Sequence, residues 1–262
     1  MEQDLDLIFG VNPVVEKLRV SSRDVVEILV CDPSGRTALR EICPEAQRLG
    51  VRIVPVDRRV LDRLSSGQRH QGIVARVSAY RYLSFDELIE RVASPSVCER
   101  ILILDGVTDP RNFGAILRTA EGAGVRYVVI PKDRSVEVTP LVTKASAGAS
   151  HSIGVVKVTN LRRAISDLKQ RGYWVAGLNP QSRETIYDKD FPARLAIVLG
   201  SEGRGVRPIN LRECDFTLSI PMLGKVASLN VAVAAAVFLY ELLRKSCQNE
   251  AAGAPIRRKQ QQ

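Results

Sequence analysis

Six short apolar runs succeed one another from Ile101 onward: ILIL (101–104), VRYVVI (125–130), IGVVKV (153–158), YWVAGL (173–178), LAIVLG (195–200) and FTLSI (216–220), with helical patterns between most of them. A strand that is apolar at nearly every position must bury both faces, which a sheet with one wet face does not allow. The pattern therefore predicts an α/β domain built on a parallel sheet with helices on both sides. After the last run, Val226 to Lys245 is rich in Ala and Val and predicts one long helix, its apolar face wide enough to be buried against the domain or a second subunit.

Upstream, the first 80 residues predict a smaller α/β unit: a helix after Gly10, a strand at Val25 to Cys31, a helix over Thr37 to Leu49, and strands near Val51 to Pro55 and Ile73 to Val77. Between the two patterns, Leu83, Phe85, Leu88, Ile89 and Val92 predict one short amphipathic helix inside a connector. This divides the chain into a domain at 1–80, a linker at 81–98, a larger domain at 99–247 and a polar tail at 248–262 that is expected to be disordered.

Composition narrows the function classes. With 45% hydrophobic residues in 262, the chain can bury a sizeable core. Its N-terminus is acidic and its longest purely apolar run, Val231 to Tyr240, is ten residues, which predicts a soluble protein without a targeting segment or membrane span. The five cysteines are odd in number, scattered and never in a C-x-x-C pair, so a reducing, cytoplasmic setting is expected. Two distant histidines, His70 and His151, give neither a metal cluster nor a Ser-His-Asp arrangement, and no metal is expected. The net charge of +9 points to a polyanionic partner, and its excess lies mainly in 99–247, with 21 basic against 14 acidic residues.

Ligands of open parallel sheets bind in loops at the strands' carboxyl ends. None of these loops carries G-x-G-x-x-G, and Gly224-Lys225 lacks the upstream glycine of a P-loop, so dinucleotide and Walker-type sites are unsupported. Three loops stand out. In DGVTDPRNFGAILRTAEGAGV, from Asp105, Asp109-Pro110 opens a helix on which Arg111 and Arg118 are seven apart, on nearly one face. Two such guanidiniums can clamp phosphates, or the helix is an ordinary surface helix with Asn112 in a capping role. In IVLGSEGRGV, from Ile197, three glycines let the backbone approach a ligand around Glu202, or form a plain turn. In LSIPMLGKVASLNVAVAAAVFLYEL, from Leu218, Ser228 and Asn230 are polar residues at an apolar helix start, serving either as caps or as ligand contacts.

Together and in this order, NFGAILRTAEGAGV, GSEGRGV and SIPMLGKVASLNVAVAAAVFLYE resemble the three motifs of the SpoU, or TrmH-like, RNA ribose methyltransferases of the SPOUT superfamily. IFGVNPVVEKL near the start and RHQGIVARV near residue 75 are similar to the small substrate-binding domain of bacterial enzymes that methylate a guanosine ribose in 23S rRNA. The resemblance implies a homodimer with a deep trefoil knot in its C-terminal domain, transferring methyl from S-adenosyl-methionine to a ribose 2′-hydroxyl of ribosomal RNA. Carried to matching positions, Leu199, Gly200, Ile220, Met222, Ser228 and Leu229 would hold the methyl donor. The same resemblance gives Arg118 the orienting of the hydroxyl and its phosphate, with Asn112, Glu202, Ser228 and Asn230 completing the catalytic site. Because a guanidinium is always protonated, Arg118 is expected to orient rather than to act as the base. Arg111 and, at a loop entering a strand in the first domain, Arg69, His70 and Gln71 are the expected RNA contacts. A tRNA ribose methyltransferase shares the catalytic motifs, a non-catalytic RNA-binding protein would share the fold, and a small-molecule nucleotide-dependent enzyme would lack salt-dependent RNA affinity.

Overall fold

A computed structural model describes residues 5–31, 37–93 and 99–251. The chain divides into two compact units, Met1–Arg81 and Tyr82–Gln262.

The first unit begins with β1 (Leu5–Phe9), α1 (Val11–Ser21), β2 (Val25–Val30) and α2 (Thr37–Arg48), and continues through β3 (Arg52–Pro55), α3 (Arg58–Leu64) and β4 (Ile73–Ser78). Its four-stranded sheet has the order β1-β4-β2-β3, with β4 antiparallel to both neighbours and β2 parallel to β3. One apolar cluster, including Val14, Leu18, Ile28, Ile42 and Ile73, gathers α1 and α2 with the sheet, and a smaller one gathers Leu29, Leu61 and Val74. Two elements go beyond the sequence expectation. The strand β1 lies at the sheet edge, where Ile8 is buried and Leu7 and Phe9 are half-buried. The helix α3 buries Leu61 alone and is started by Asp57, whose carboxylate accepts from the N–H of Arg59 at 2.8 Å.

The second unit comprises α4 (Phe85–Arg91), β5 (Glu99–Asp105), α5 (Pro110–Gly122), β6 (Tyr127–Pro131), α6 (Pro140–Ala145) and β7 (Gly154–Val158). There follow α7 (Leu161–Gln170), β8 (Trp174–Leu178), β9 (Arg194–Gly200), α8 (Pro208–Leu211), β10 (Phe216–Leu218) and α9 (Val231–Ala251). All six apolar runs form strands, and all pair in parallel in the order β10-β8-β9-β5-β6-β7. Ile101 to Leu104 are at most 1% exposed, as a strand covered on both sides requires. Each such side chain contributes about 1.5–3 kcal/mol relative to its exposed state.

Residues 82–92, expected in a connector, pack into the second unit. Leu83, Leu88 and Val92 join the core of Ile101, Val156 and Ile165, and Leu83 bridges to Val156. Apolar burial and the Ser84–Glu87 capping box fix α4 there. The last helix starts at Val231, five residues later than Val226, and reaches Ala251; the remainder of the tail expected to be disordered, 252–262, lies outside the described residues. No helix among the described residues is long and apolar enough to cross a membrane.

Candidate active site

Because every strand of the second sheet runs the same way, β5, β8 and β9 deliver Asp105, Leu178 and Gly200 to the same edge. Three segments leave or return there: 106–112 into α5, 200–207 after β9, and 219–230 into α9.

The entry to α5 is built by Asp109, whose carboxylate accepts from the N–H groups of Arg111 (2.8 Å) and Asn112 (2.9 Å), with Pro110 preset in the first helical position. The cap is thus Asp109, and the Asn112 side chain is left to reach outward. It donates from Nδ2 to Oε1 of Glu202. The loop holding Glu202 is closed by Ser201 and Gly205, which exchange backbone hydrogen bonds of 2.9 and 3.2 Å. It turns through Gly203 and Gly205 at φ +78° and +65°, values that favour glycine. Its narrowest point is Gly200: a Cβ there would lie 1.8 Å from the Gly205 carbonyl carbon.

Asn230 accounts for the late start of α9. Its Oδ1 accepts from the N–H groups of Ala232 (2.9 Å) and Val233 (3.4 Å), capping the helix. Its Nδ2 lies 3.1 Å from both Asn112 Oδ1 and Glu202 Oε1. Asn112, Glu202 and Asn230 therefore form a closed triangle in which one carboxylate sits between the first turns of two helices. The partial positive charge of helix N-termini favours an anion at that spot.

Beside the triangle lies a cavity of about 640 Å³, within the range of small-molecule sites. Leu199, Gly200, Ile220, Met222, Ser228 and Leu229 all line it, as does Glu202. The sequence reading omitted Asn179, Pro180 and Gln181, which line it from the loop after β8. The rule that ligands gather at strand carboxyl ends applies to that loop as well and was the available signal. Arg111 and Arg118 are exposed on α5, and neither forms an ion pair among the described residues. Nor does any group of His, Cys, Asp and Glu among these residues form a metal site.

In the first unit the three expected RNA contacts part company. Arg69 is exposed. His70 is 6% exposed, with Nε2 2.8 Å from Asp62 Oδ1 and Nδ1 accepting the Gly72 N–H at 3.1 Å. Gln71 turns inward, its Oε1 accepting from the N–H of Val11 at 3.1 Å. His70 and Gln71 thus brace the loop that displays Arg69.

Residues 99–240 match the SpoU rRNA Methylase family, and residues 7–83 match the RNA 2′-O ribose methyltransferase substrate binding family. The chain belongs to the SpoU rRNA methylase family. The TrmH-family protein YacO of Bacillus subtilis is 40% identical over 245 residues, covering 94% of this chain and 98% of that protein. The 23S rRNA (guanosine-2′-O-)-methyltransferase RlmB of Ralstonia nicotianae is 39% identical over 240 residues, covering 91% and 95%. Among solved structures, a TrmH-family protein from Porphyromonas gingivalis superposes with a TM-score of 0.63 at 28% identity, covering 93% of this chain and 91% of that one. In this SpoU-family chain the three motif loops are the three segments at the carboxyl edge of the parallel sheet.

Proposed function

We propose that this protein transfers a methyl group from S-adenosyl-methionine to the 2′-hydroxyl of a guanosine ribose in 23S ribosomal RNA. The observation that carries the reading is one cavity lined by two of the motif loops, after β9 and before α9, with Glu202 in its wall tied to Asn112 of the first motif and to Asn230. The cavity has the size of a nucleoside-bearing ligand and is lined mainly by glycines and apolar side chains, with Asn179, Gln181, Glu202 and Arg204 among them, which suits an adenosine read by main-chain groups and a few polar side chains. Leu199, Gly200, Ile220, Met222, Ser228 and Leu229 would hold it there. When bound, the donor supplies a methyl already activated on a sulfonium.

The protein's own part is orientation. Glu202 Oε1 receives both amide donors, so its charge is committed to holding the entries of α5 and α9 at one spacing. Arg118 offers a permanently charged, planar fork to the ribose hydroxyl and its neighbouring phosphate, and Arg111, two helical turns earlier, extends the same face along the RNA backbone. Holding the hydroxyl in line with the methyl replaces a bimolecular encounter by a local one, an advantage that reaches about 7–11 kcal/mol in well-aligned systems.

The first unit is read as the substrate-binding domain, with Arg69 as its exposed contact. The same reading carries the trefoil knot, the cytoplasmic setting and a homodimer. On α9, Val233 and Tyr240 are 48% and 52% exposed and seven residues apart, an apolar face suited to a second copy. Incubation with tritiated S-adenosyl-methionine and separately purified 23S rRNA and tRNA tests the function. Label in a single guanosine of 23S rRNA is expected, and label in tRNA alone would overturn the rRNA reading in favour of a tRNA enzyme.

A further inference from the structure

Asp105 is the last residue of β5, and its side chain is fully buried. An ionised carboxylate there is costly unless its lone pairs are taken up by donors. Three donors do so: Arg207 N–H at 2.9 Å and Asn210 Nδ2 at 2.8 Å to Oδ2, and Arg207 Nε at 2.6 Å to Oδ1. All three lie just beyond the 200–206 loop, at the start of α8. The entry to that loop is held by the same residue in a different way, since Asp105 and Gly200 are register partners in the β5–β9 pairing. Asp105 therefore grips both ends of the loop that carries Glu202, by sheet pairing on one side and by its carboxylate on the other. It also begins the segment to Asn112: Gly106, at φ +84°, turns the chain away toward Asp109 and α5.

We propose that Asp105 is a positioning residue for the transfer reaction, whose carboxylate sets the separation between the Asn112 segment and the Glu202 loop and thereby the shape of the donor cavity. This rests on the assignment of that cavity to S-adenosyl-methionine. Asp105 does not line the cavity, whereas Gly200, Glu202, Gly205, Val206, Pro208 and Leu211 do, and all six belong to or adjoin the segment it holds. Without the carboxylate, the loop keeps its internal Ser201–Gly205 closure and its pairing with β5 at Gly200, but its far end, at Arg207 and Asn210, loses its anchor.

The matched control lies on the same strand. Glu99 opens β5, is 4% exposed, and is satisfied by Arg126 at 2.9 Å and the Tyr173 hydroxyl at 3.3 Å, at the edge away from the cavity. Asp105→Asn, Arg207→Gln and Glu99→Gln are compared with wild type by titration calorimetry with S-adenosyl-methionine, by melting temperature, and by single-turnover methyl transfer. Asp105→Asn is expected to raise the donor Kd about tenfold and to slow the chemical step on the order of 10²-fold, the cost of a displacement near 1 Å. Arg207→Gln keeps its backbone donor and Asn210, so it should shift both in the same direction by less. Glu99→Gln should lower the melting temperature while leaving the donor Kd at the wild-type value. Equal effects of Asp105→Asn and Glu99→Gln on Kd at a matched distance below their melting temperatures would overturn the proposal, as would a wild-type Kd in Asp105→Asn. Should Asp105→Asn fail to fold, Arg207→Gln against Glu99→Gln decides by the same criterion. A wild-type protein that binds no S-adenosyl-methionine would overturn the cavity's assignment itself, and the positioning role with it.

Discussion

Replacing Gly200 by alanine adds one methyl at the narrowest point of the loop that holds Glu202. The new Cβ would stand 1.8 Å from the Gly205 carbonyl carbon, 2.0 Å from the Val206 nitrogen and 2.1 Å from the Gly205 oxygen. These are backbone atoms, so no side-chain rotation relieves the clash. Restoring even a 3.4 Å contact moves the Gly205–Val206 backbone by about 1.6 Å, the difference between 3.4 and 1.8 Å. Overpacking of this kind costs about 1–3 kcal/mol, which in a domain of this size lowers the melting temperature by roughly 2–12 °C. The functional cost is larger, since Gly205 and Val206 line the cavity and Glu202 sits between the displaced atoms and their strand. A shift of this size predicts a loss on the order of 10²-fold in methyl transfer together with weakened donor binding. Calorimetry with S-adenosyl-methionine and a tritium-transfer assay on 23S rRNA fragments measure both. Gly172→Ala, in the turn between α7 and β8 and away from the cavity, is the comparison: nothing lies within 4 Å of its added Cβ, and only its φ of +83° is strained, so about 1–2 kcal/mol of stability should be lost with little change in donor affinity. A Gly200→Ala protein that binds the donor as wild type does, or a Gly172→Ala protein impaired to the same degree, would refute the reasoning.

Arg118→Lys keeps the charge and loses the fork; a drop in turnover of about 10²-fold at unchanged donor affinity is expected, and wild-type turnover would remove the orienting role. Arg69→Ala should raise the RNA KM and reduce the salt slope of binding by about one, with stability changed by less than about 0.5 kcal/mol. His70→Ala, which leaves the buried Gly72 N–H without its acceptor, should instead cost about 1–3 kcal/mol in denaturant unfolding of the first unit. Burial pushes the Cys214 thiol up to about 12, helped by the charge of Asp215, so at pH 8 it is almost wholly protonated. Peptide mapping after iodoacetamide should find Cys214 unmodified in the native protein and the exposed Cys247 labelled.

The parts of this fold that local chemistry decides were legible in the sequence. Strands such as β5 and β9 announce themselves because every position is apolar, and burial on both faces leaves no other arrangement. β1 was not read although LDLIF is largely apolar, because the run is short, contains Asp6 and follows directly on the acidic residues Glu2 and Asp4 of the terminus. Nor was the true start of α9: the run from Val226 is apolar on both sides of Asn230, and only the hydrogen bonds of that one amide stop the helix there. In the site, the motif residues were readable as a family resemblance, while their division of labour was not. Asn112 was open to reading as a cap, and it is free to meet Glu202 because Asp109, three residues earlier, caps in its place. Asp105 carried no local signal, since its partners lie 102 and 105 residues away in sequence.

That separation also sets a schedule. A chain emerging from the ribosome at about 5–20 residues per second needs roughly 5–20 s after Asp105 is made before Arg207 and Asn210 exist to receive its charge. During that interval β5 can pair with β6, but its other edge, reserved for β9, stands open with four consecutive apolar residues along it. An unneutralised aspartate at the tip of that edge discourages docking by an incorrect apolar strand, because such a strand would have to bury the charge without donors. The residue that holds the finished loop is thus one whose burial is favourable only beside the downstream segment that carries its matching donors.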